Sequence, residues 1–83
     1  MRRDSTRRDS VLCFIARFSR EKGFPPTERD IAESENFSTS SARWHIHSLE
    51  RRGLVNRQPR ITRGTTLTPA GIEAVYALLG RQS

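Results

Sequence analysis

The most chemically loaded stretch of the chain runs Ser38-Thr39-Ser40-Ser41-Ala42-Arg43-Trp44-His45-Ile46-His47, four hydroxyls followed by a guanidinium, an indole and two imidazoles. Hydroxyls and a planar guanidinium suit the recognition of phosphates and other acceptor-rich groups more than bond-making chemistry. The two histidines do not form a metal site. Two positions apart on a helix they lie about 200° from each other, whereas chelation from one helix needs a spacing of three or four. Cys13 stands without a partner base, which predicts an inert thiol. Paired carboxylates, a Cys–His arrangement and a Gly-rich phosphate loop are all missing from the pattern, so the sequence reads as no enzyme, with no cofactor and no small-molecule ligand evident.

Charge points the same way. The 83 residues carry 15 basic and 9 acidic side chains, a net +6, and fourteen of the basic ones are Arg against the single Lys22. A GC-rich genome would inflate the Arg count; a phosphate-rich partner would select it, because the guanidinium fork binds two oxygens at once. The charge is also segregated: +4 over residues 1–22, −3 over 23–37, +5 over 38–68 and zero over 69–83. Two basic segments flanking an acidic one predict a localised electropositive surface, and hence a polyanionic partner. The lone cysteine fits a reducing cytoplasm, and no apolar stretch is long enough for a signal peptide or membrane span.

The elements that must position these groups follow from periodicity. Length allows one domain. Val11, Ile15 and Phe18, widened by Leu12 and Phe14, mark a first helix from about Thr6 to Lys22, with Cys13 and Arg17 turned away; Gly23 and Pro25-Pro26 end it. Thr27-x-x-Asp30 approximates a capping box for a short second helix ending near Ser34, with Ile31 and Ala32 buried. Asn36 supplies a turn, and a third helix runs from the Ser/Thr cluster to Arg52, closed by Gly53. Residues 54–57 and 65–68 read as two short strands around a basic loop, Gln58-Pro59-Arg60-Ile61-Thr62-Arg63-Gly64. Thr68 and Pro69 open a last helix with an apolar stripe of Ile72, Val75, Tyr76 and Leu79, ending at Gly80. The expected class is mainly α with a small β-hairpin, a winged helix-turn-helix: residues 1–6 a flexible basic tail, 7–80 the domain, 81–83 a tail.

On the third helix Ala42, Ile46 and Leu49 fall within about 60° of arc and must face inward. Ser40, Trp44, His47 and Arg51 lie opposite, with Arg43 and Ser48 at the edges and His45 beside the core stripe as a partly buried hydrogen-bonding residue. Small hydroxyls at the tip and basic groups behind suit insertion in a major groove, with His47 placed for a base edge or a phosphate. An exposed Trp44 needs a partner: DNA, a second subunit or the hairpin.

The stretch Phe24-Pro25-Pro26-Thr27-x-x-Asp30-Ile31-Ala32 resembles the opening of the helix-turn-helix in LexA-type repressors, usually G-[YF]-P-P-[ST]-x-x-E-I-A. The run Ser38 to Val55 is similar to their recognition helix and its exit into the wing, so the resemblance covers about residues 7–60. Thr66-Leu67-Thr68-Pro69-Ala70-Gly71 is similar to the wing-to-helix junction of other winged regulators, including the MarR group. The turn after Ile31-Ala32 is one residue shorter than usual, a last helix stands where the linker would run, and the chain has no room for the family's peptidase domain. The resemblance implies winged-helix DNA binding, with base readout on Ser38, Thr39, Ser40, Ser41, Arg43 and Trp44.

With His47 added to that set, and phosphate contacts expected from Thr27, Arg51, Arg57, Arg60 and Arg63, the sequence reads as a double-stranded DNA-binding transcriptional regulator of repressor type. It would be bacterial or phage and cytoplasmic at the nucleoid, with no membrane partner and with a homodimer as one arrangement. The competing readings are a winged-helix protein-interaction module and a phage excision or replication accessory factor.

Overall fold

Val11, Leu12 and Ile15 share one face of the first helix and are shielded from solvent. In the computed structural model, which describes residues 3–58, 61 and 63–82, this helix is α1, Arg3–Lys22. It begins three residues before the expected start at Thr6, because the charged segment ahead of the apolar period contains no Gly or Pro to break the backbone. Gly23 takes φ 81°, which a side chain would resist, and its N–H closes on the Ser19 carbonyl at 3.0 Å.

The expected capping box is formed. The Thr27 hydroxyl accepts from the Asp30 N–H at 2.9 Å, and the Asp30 carboxylate accepts from the Thr27 N–H at 2.9 Å. It starts α2, Glu28–Glu35, which ends one residue past Ser34 at left-handed Asn36 with φ 59°. Ser38 caps α3, Thr39–Arg51, by accepting from the Ser41 N–H at 3.1 Å. Gly53, with φ 75°, releases the chain into β1, Val55–Arg57. This strand pairs antiparallel with β2, Thr65–Leu67, in the register Val55↔Leu67, Asn56↔Thr66 and Arg57↔Thr65. The last helix, α4, is Pro69–Gln82.

One core joins every element: Ile31 and Ala32 of α2, Ala42, Ile46 and Leu49 of α3, Val55 of β1 and Val75 of α4 close over the α1 stripe, with the half-buried Leu67 of β2 packed against them. Three sequence expectations need correction. Cys13 does not face away from the core; α4 lies back over that side of α1, so the thiol is half-buried and packed on the core. Gly80 does not end α4, which continues to Gln82 because a helical Gly costs only about 0.5–1 kcal/mol and no Pro follows. The apolar stripe of α4 also does not dock as one unit. Val75 is 8% exposed, whereas Ile72, Tyr76 and Leu79 are 45%, 70% and 50% exposed.

The reason lies at Gly71. Its edge of α4 approaches the α3–β1 connection so closely that a Cβ there would run into the Leu54 carbonyl oxygen. The same junction is tied by the Thr68 hydroxyl, which donates to the Gly53 carbonyl at 2.6 Å and accepts from the Gly71 N–H at 3.0 Å. Helix α4 therefore seats on its Gly71–Val75–Leu78 edge and leaves the neighbouring edge outside. Gly71→Ala should lower stability by about 1–3 kcal/mol, the usual cost of overpacking, and depress Tm by roughly 4–8 °C per kcal/mol. Gly80→Ala, whose Cβ meets nothing within 4 Å, should leave Tm unchanged or raise it. Thermal melting of the two variants checks both.

Candidate nucleic-acid interface

With Ala42, Ile46 and Leu49 fully buried, the opposite side of α3 is held outward by the core itself. Thr39, Ser40, Arg43, Trp44, His47 and Arg51 are all exposed there, and Ser48 is half-buried. The Trp44 ring is 58% exposed and rests its edge on the His45 imidazole at 5.0 Å, so the ring is presented to solvent rather than packed away. Trp44, His47, Ser48, Arg51 and Arg52 line an open cleft of about 420 Å³ along the helix. The His47 Nδ1 lies 3.3 Å from the Glu50 carboxylate.

His45 is buried, beside the core as its position on the helix requires. Its Nδ1 lies 2.9 Å from the Ser41 carbonyl, and its ring stacks on Phe37 at 4.8 Å. A nitrogen facing a carbonyl must carry a proton; the other, Nε2, is buried and meets no hydrogen-bond partner among the described residues. The imidazole thus braces the first turn of α3 from behind, between Phe37 and Trp44. At the tip, Ser38 and Ser41 spend hydroxyl capacity on each other, 3.2 Å apart, while Thr39 and Ser40 remain open to solvent.

The acidic segment has a second role that the sequence reading assigned only to the helix end. Glu28 sits one residue inside α2, and its Oε1 accepts from Arg43 Nη2 at 3.2 Å and Nε at 3.3 Å. Its Oε2 accepts from Arg57 Nη2 of β1 at 3.3 Å. Two residues on, Asp30 accepts from Arg63 Nη1 at 3.1 Å, and the same nitrogen donates to the Pro25 carbonyl at 3.0 Å. Arg63 also lies over the Phe24 ring at 4.6 Å and the Phe18 ring at 5.9 Å, which folds the hairpin loop back on the α1–α2 junction. Arg43, Arg57 and Arg63, expected to face a polyanion, thus converge on one acidic turn. Thr27 stands at that turn as its cap, and Arg51 lies further along α3. Arg60 lies outside the described residues. The signal in the sequence was the −3 segment between two basic ones.

Two ionisable groups are shifted from their ordinary values. Asp30 is lowered, chiefly by the Thr27 backbone N–H and further by the Thr27 hydroxyl and Arg63, against an opposing desolvation. The Cys13 thiol is raised, first by burial and then by Asp9, with Arg17 pulling the other way. Among the described residues no group of three or more His, Cys, Asp or Glu side chains is placed to hold a metal ion, and no helix is long and apolar enough to cross a membrane.

Two tightly joined helices, the second presenting a polar face and followed at once by a hairpin, define a winged helix-turn-helix. The fold matches MepR, a transcription regulator of the Staphylococcus aureus multidrug efflux pump MepA, with a TM-score of 0.74 at 22% identity, over 90% of this chain and 55% of that one. The family profile of the LexA DNA binding domain matches residues 1–64, and the chain belongs to that family. The LexA repressor of Lactiplantibacillus plantarum is 43% identical over 67 residues, which is 80% of this chain and 32% of that protein. The LexA repressor of Enterococcus faecalis is 39% identical over 75 residues, 89% of this chain and 36% of that protein. The chain therefore spans about a third of the length of these curated relatives.

The Asp30 shift has a definite sign in pH. Folding favours the carboxylate, so its contribution is present above the unfolded Asp value of about 3.9 and is lost as pH falls through the lower folded value. Asp30→Asn keeps an acceptor for the cap but removes the charge. Its Tm should lie below wild type at neutral pH, and the gap should close in acid; a gap constant from pH 7 to 2.5 or so would show that the charge contributes nothing.

Proposed function

We propose that the chain is a sequence-specific double-stranded DNA-binding module of a transcriptional repressor, with α3 in the major groove and the hairpin against the adjacent backbone or minor groove. The observation that carries this is the outer face of α3, a solvent-facing row of Ser40, Trp44, His47 and Arg51 on a helix whose other side is core, in a chain of the LexA DNA-binding family. Ser38, Thr39, Ser40, Ser41, Arg43, Trp44 and His47 serve as the base-reading set, with Trp44 covering a thymine methyl or a sugar. Thr27, Arg51, Arg57, Arg60 and Arg63 serve as the phosphate set, which supplies affinity and register rather than sequence preference. The module has no catalytic role of its own on this reading and works in the cytoplasm at the nucleoid. Engaging about five phosphates gives a slope of roughly −4 to −5 for log affinity against log salt. A flat response from low to physiological ionic strength, measured by fluorescence anisotropy on random-sequence duplexes, overturns this reading and favours a protein-interaction module.

The exposed edge of α4 supports a homodimer. Ile72, Tyr76 and Leu79, with Phe24 opposite at 45% exposure, flank a groove of about 610 Å³ whose α1 rim carries Arg17 and Arg20. Ridge and groove belong to one face, as a two-fold contact requires. Light scattering should give a dimer at tens of micromolar and a folded monomer for Tyr76→Glu, whose Tm, unlike the wild type's, should not depend on protein concentration; the substitution is tolerated because Tyr76 is 70% exposed. A wild-type monomer at high micromolar concentration overturns the dimer.

A further inference from the structure

We infer that Glu28 is a specificity-determining positioning residue: it holds Arg43 by one edge of its guanidinium and so presents the other edge for a bidentate contact to guanine. This rests on the DNA-binding reading above and adds a residue to it that does not itself touch DNA.

A guanidinium carries five N–H groups in one plane. Two of them, on Nε and Nη2, form its side edge, and these are the ones Glu28 Oε1 accepts from, at 3.3 and 3.2 Å. The end edge, made of one N–H from Nη1 and the second from Nη2, meets no hydrogen-bond partner among the described residues. The Arg43 side chain is 59% exposed, and among the described residues Glu28 is the group its guanidinium meets. An end edge is the part of Arg that matches the O6 and N7 acceptors of guanine in the major groove. Holding the side edge also removes rotamer freedom before DNA arrives, so less ordering is left for the binding step.

For that role the carboxylate must itself be held, and it is held from three directions. The capping box of Thr27 and Asp30 sets the backbone immediately around it. Its place in the first turn of α2 favours a negative charge through the helix dipole. Arg57 Nη2, on a strand locked in register with β2, donates to Oε2 at 3.3 Å, an oxygen it shares with a longer 3.4 Å contact from Arg43 Nε, while Oε1 faces Arg43 alone among the described residues. The Glu28 side chain is 27% exposed against 59% for Arg43, so the buttress is the more enclosed partner and the reader the more open one.

A buttress and a plain negative charge predict opposite things for discrimination. Removing a plain charge near phosphate strengthens binding to every duplex alike. Removing a buttress strengthens non-specific binding and weakens the preference for guanine at one base pair. The test selects bound duplexes from a random pool with wild type and with Glu28→Gln, then titrates the selected site against its single-base variants, with thermal melting alongside. Glu28→Gln should lose roughly tenfold in preference at one G·C position, retain the others and bind unrelated duplexes more tightly. Wild-type preference at every position, with all duplexes bound more tightly, overturns the buttress and leaves DNA binding standing. Should Glu28→Gln not fold, Glu28→Asp decides, since it keeps the charge at the helix start but draws the carboxylate back from Arg43: loss of the same preference supports the proposal, and its retention overturns it. A wild-type protein that selects no duplex overturns the DNA-binding reading and the buttress together.

Discussion

Three arginines from three separate segments, one on α3, one on β1 and one in the hairpin loop, are brought to the same side of the molecule, and like charges so placed repel. The first turn of α2 resolves this by putting Glu28 and Asp30 between them. As isolated surface ion pairs these contacts are worth only about 0–1 kcal/mol each. Their value is geometric, because they join α2 to α3, to β1 and to the Arg63 end of the hairpin.

The acidic turn is itself a product of helix capping. Thr27 and Asp30 satisfy each other's backbone donors, and Pro25-Pro26 bars α1 from continuing into the segment. Glu28 consequently starts a helix at a fixed point rather than extending α1. From there the left-handed Asn36 and the Ser38 cap turn the chain into α3 within three residues, and the Phe37 ring is laid against His45. The buried imidazole is held by one hydrogen bond and a stack, while its Nε2 finds no partner among the described residues, directly behind the tip of α3.

On the far side, the closing contact is made by backbone. Thr68 and Gly71 pin the start of α4 to Gly53 and Leu54, which are also where α3 hands over to the wing. Helix α3, the hairpin and α4 therefore share one junction. That junction sets which edge of α4 enters the core, and so which edge becomes the ridge of the outer groove.

Where the apolar period was strong and the punctuation chemical, the linear order of residues was sufficient. The helices α1 to α3, their caps, the left-handed Asn36, the hairpin and the inward face of Ala42, Ile46 and Leu49 all depend on local sterics, capping and periodicity, which act between near neighbours. The outward face of α3 followed from the inward one by geometry alone. What depends on the approach of distant segments was not legible. The same Ile72-Val75-Tyr76-Leu79 period fits two rotations of α4, and only the backbone contact at Gly71 selects one of them. The half-burial of Cys13 depends on where α4 comes to rest. Glu28 and Arg43 are fifteen residues apart and Glu28 and Arg57 twenty-nine, so their meeting is a property of how α2, α3 and the wing pack, and no spacing rule anticipates it. Local chemistry determined the elements; tertiary packing decided which charges face one another and which apolar edge is left outside.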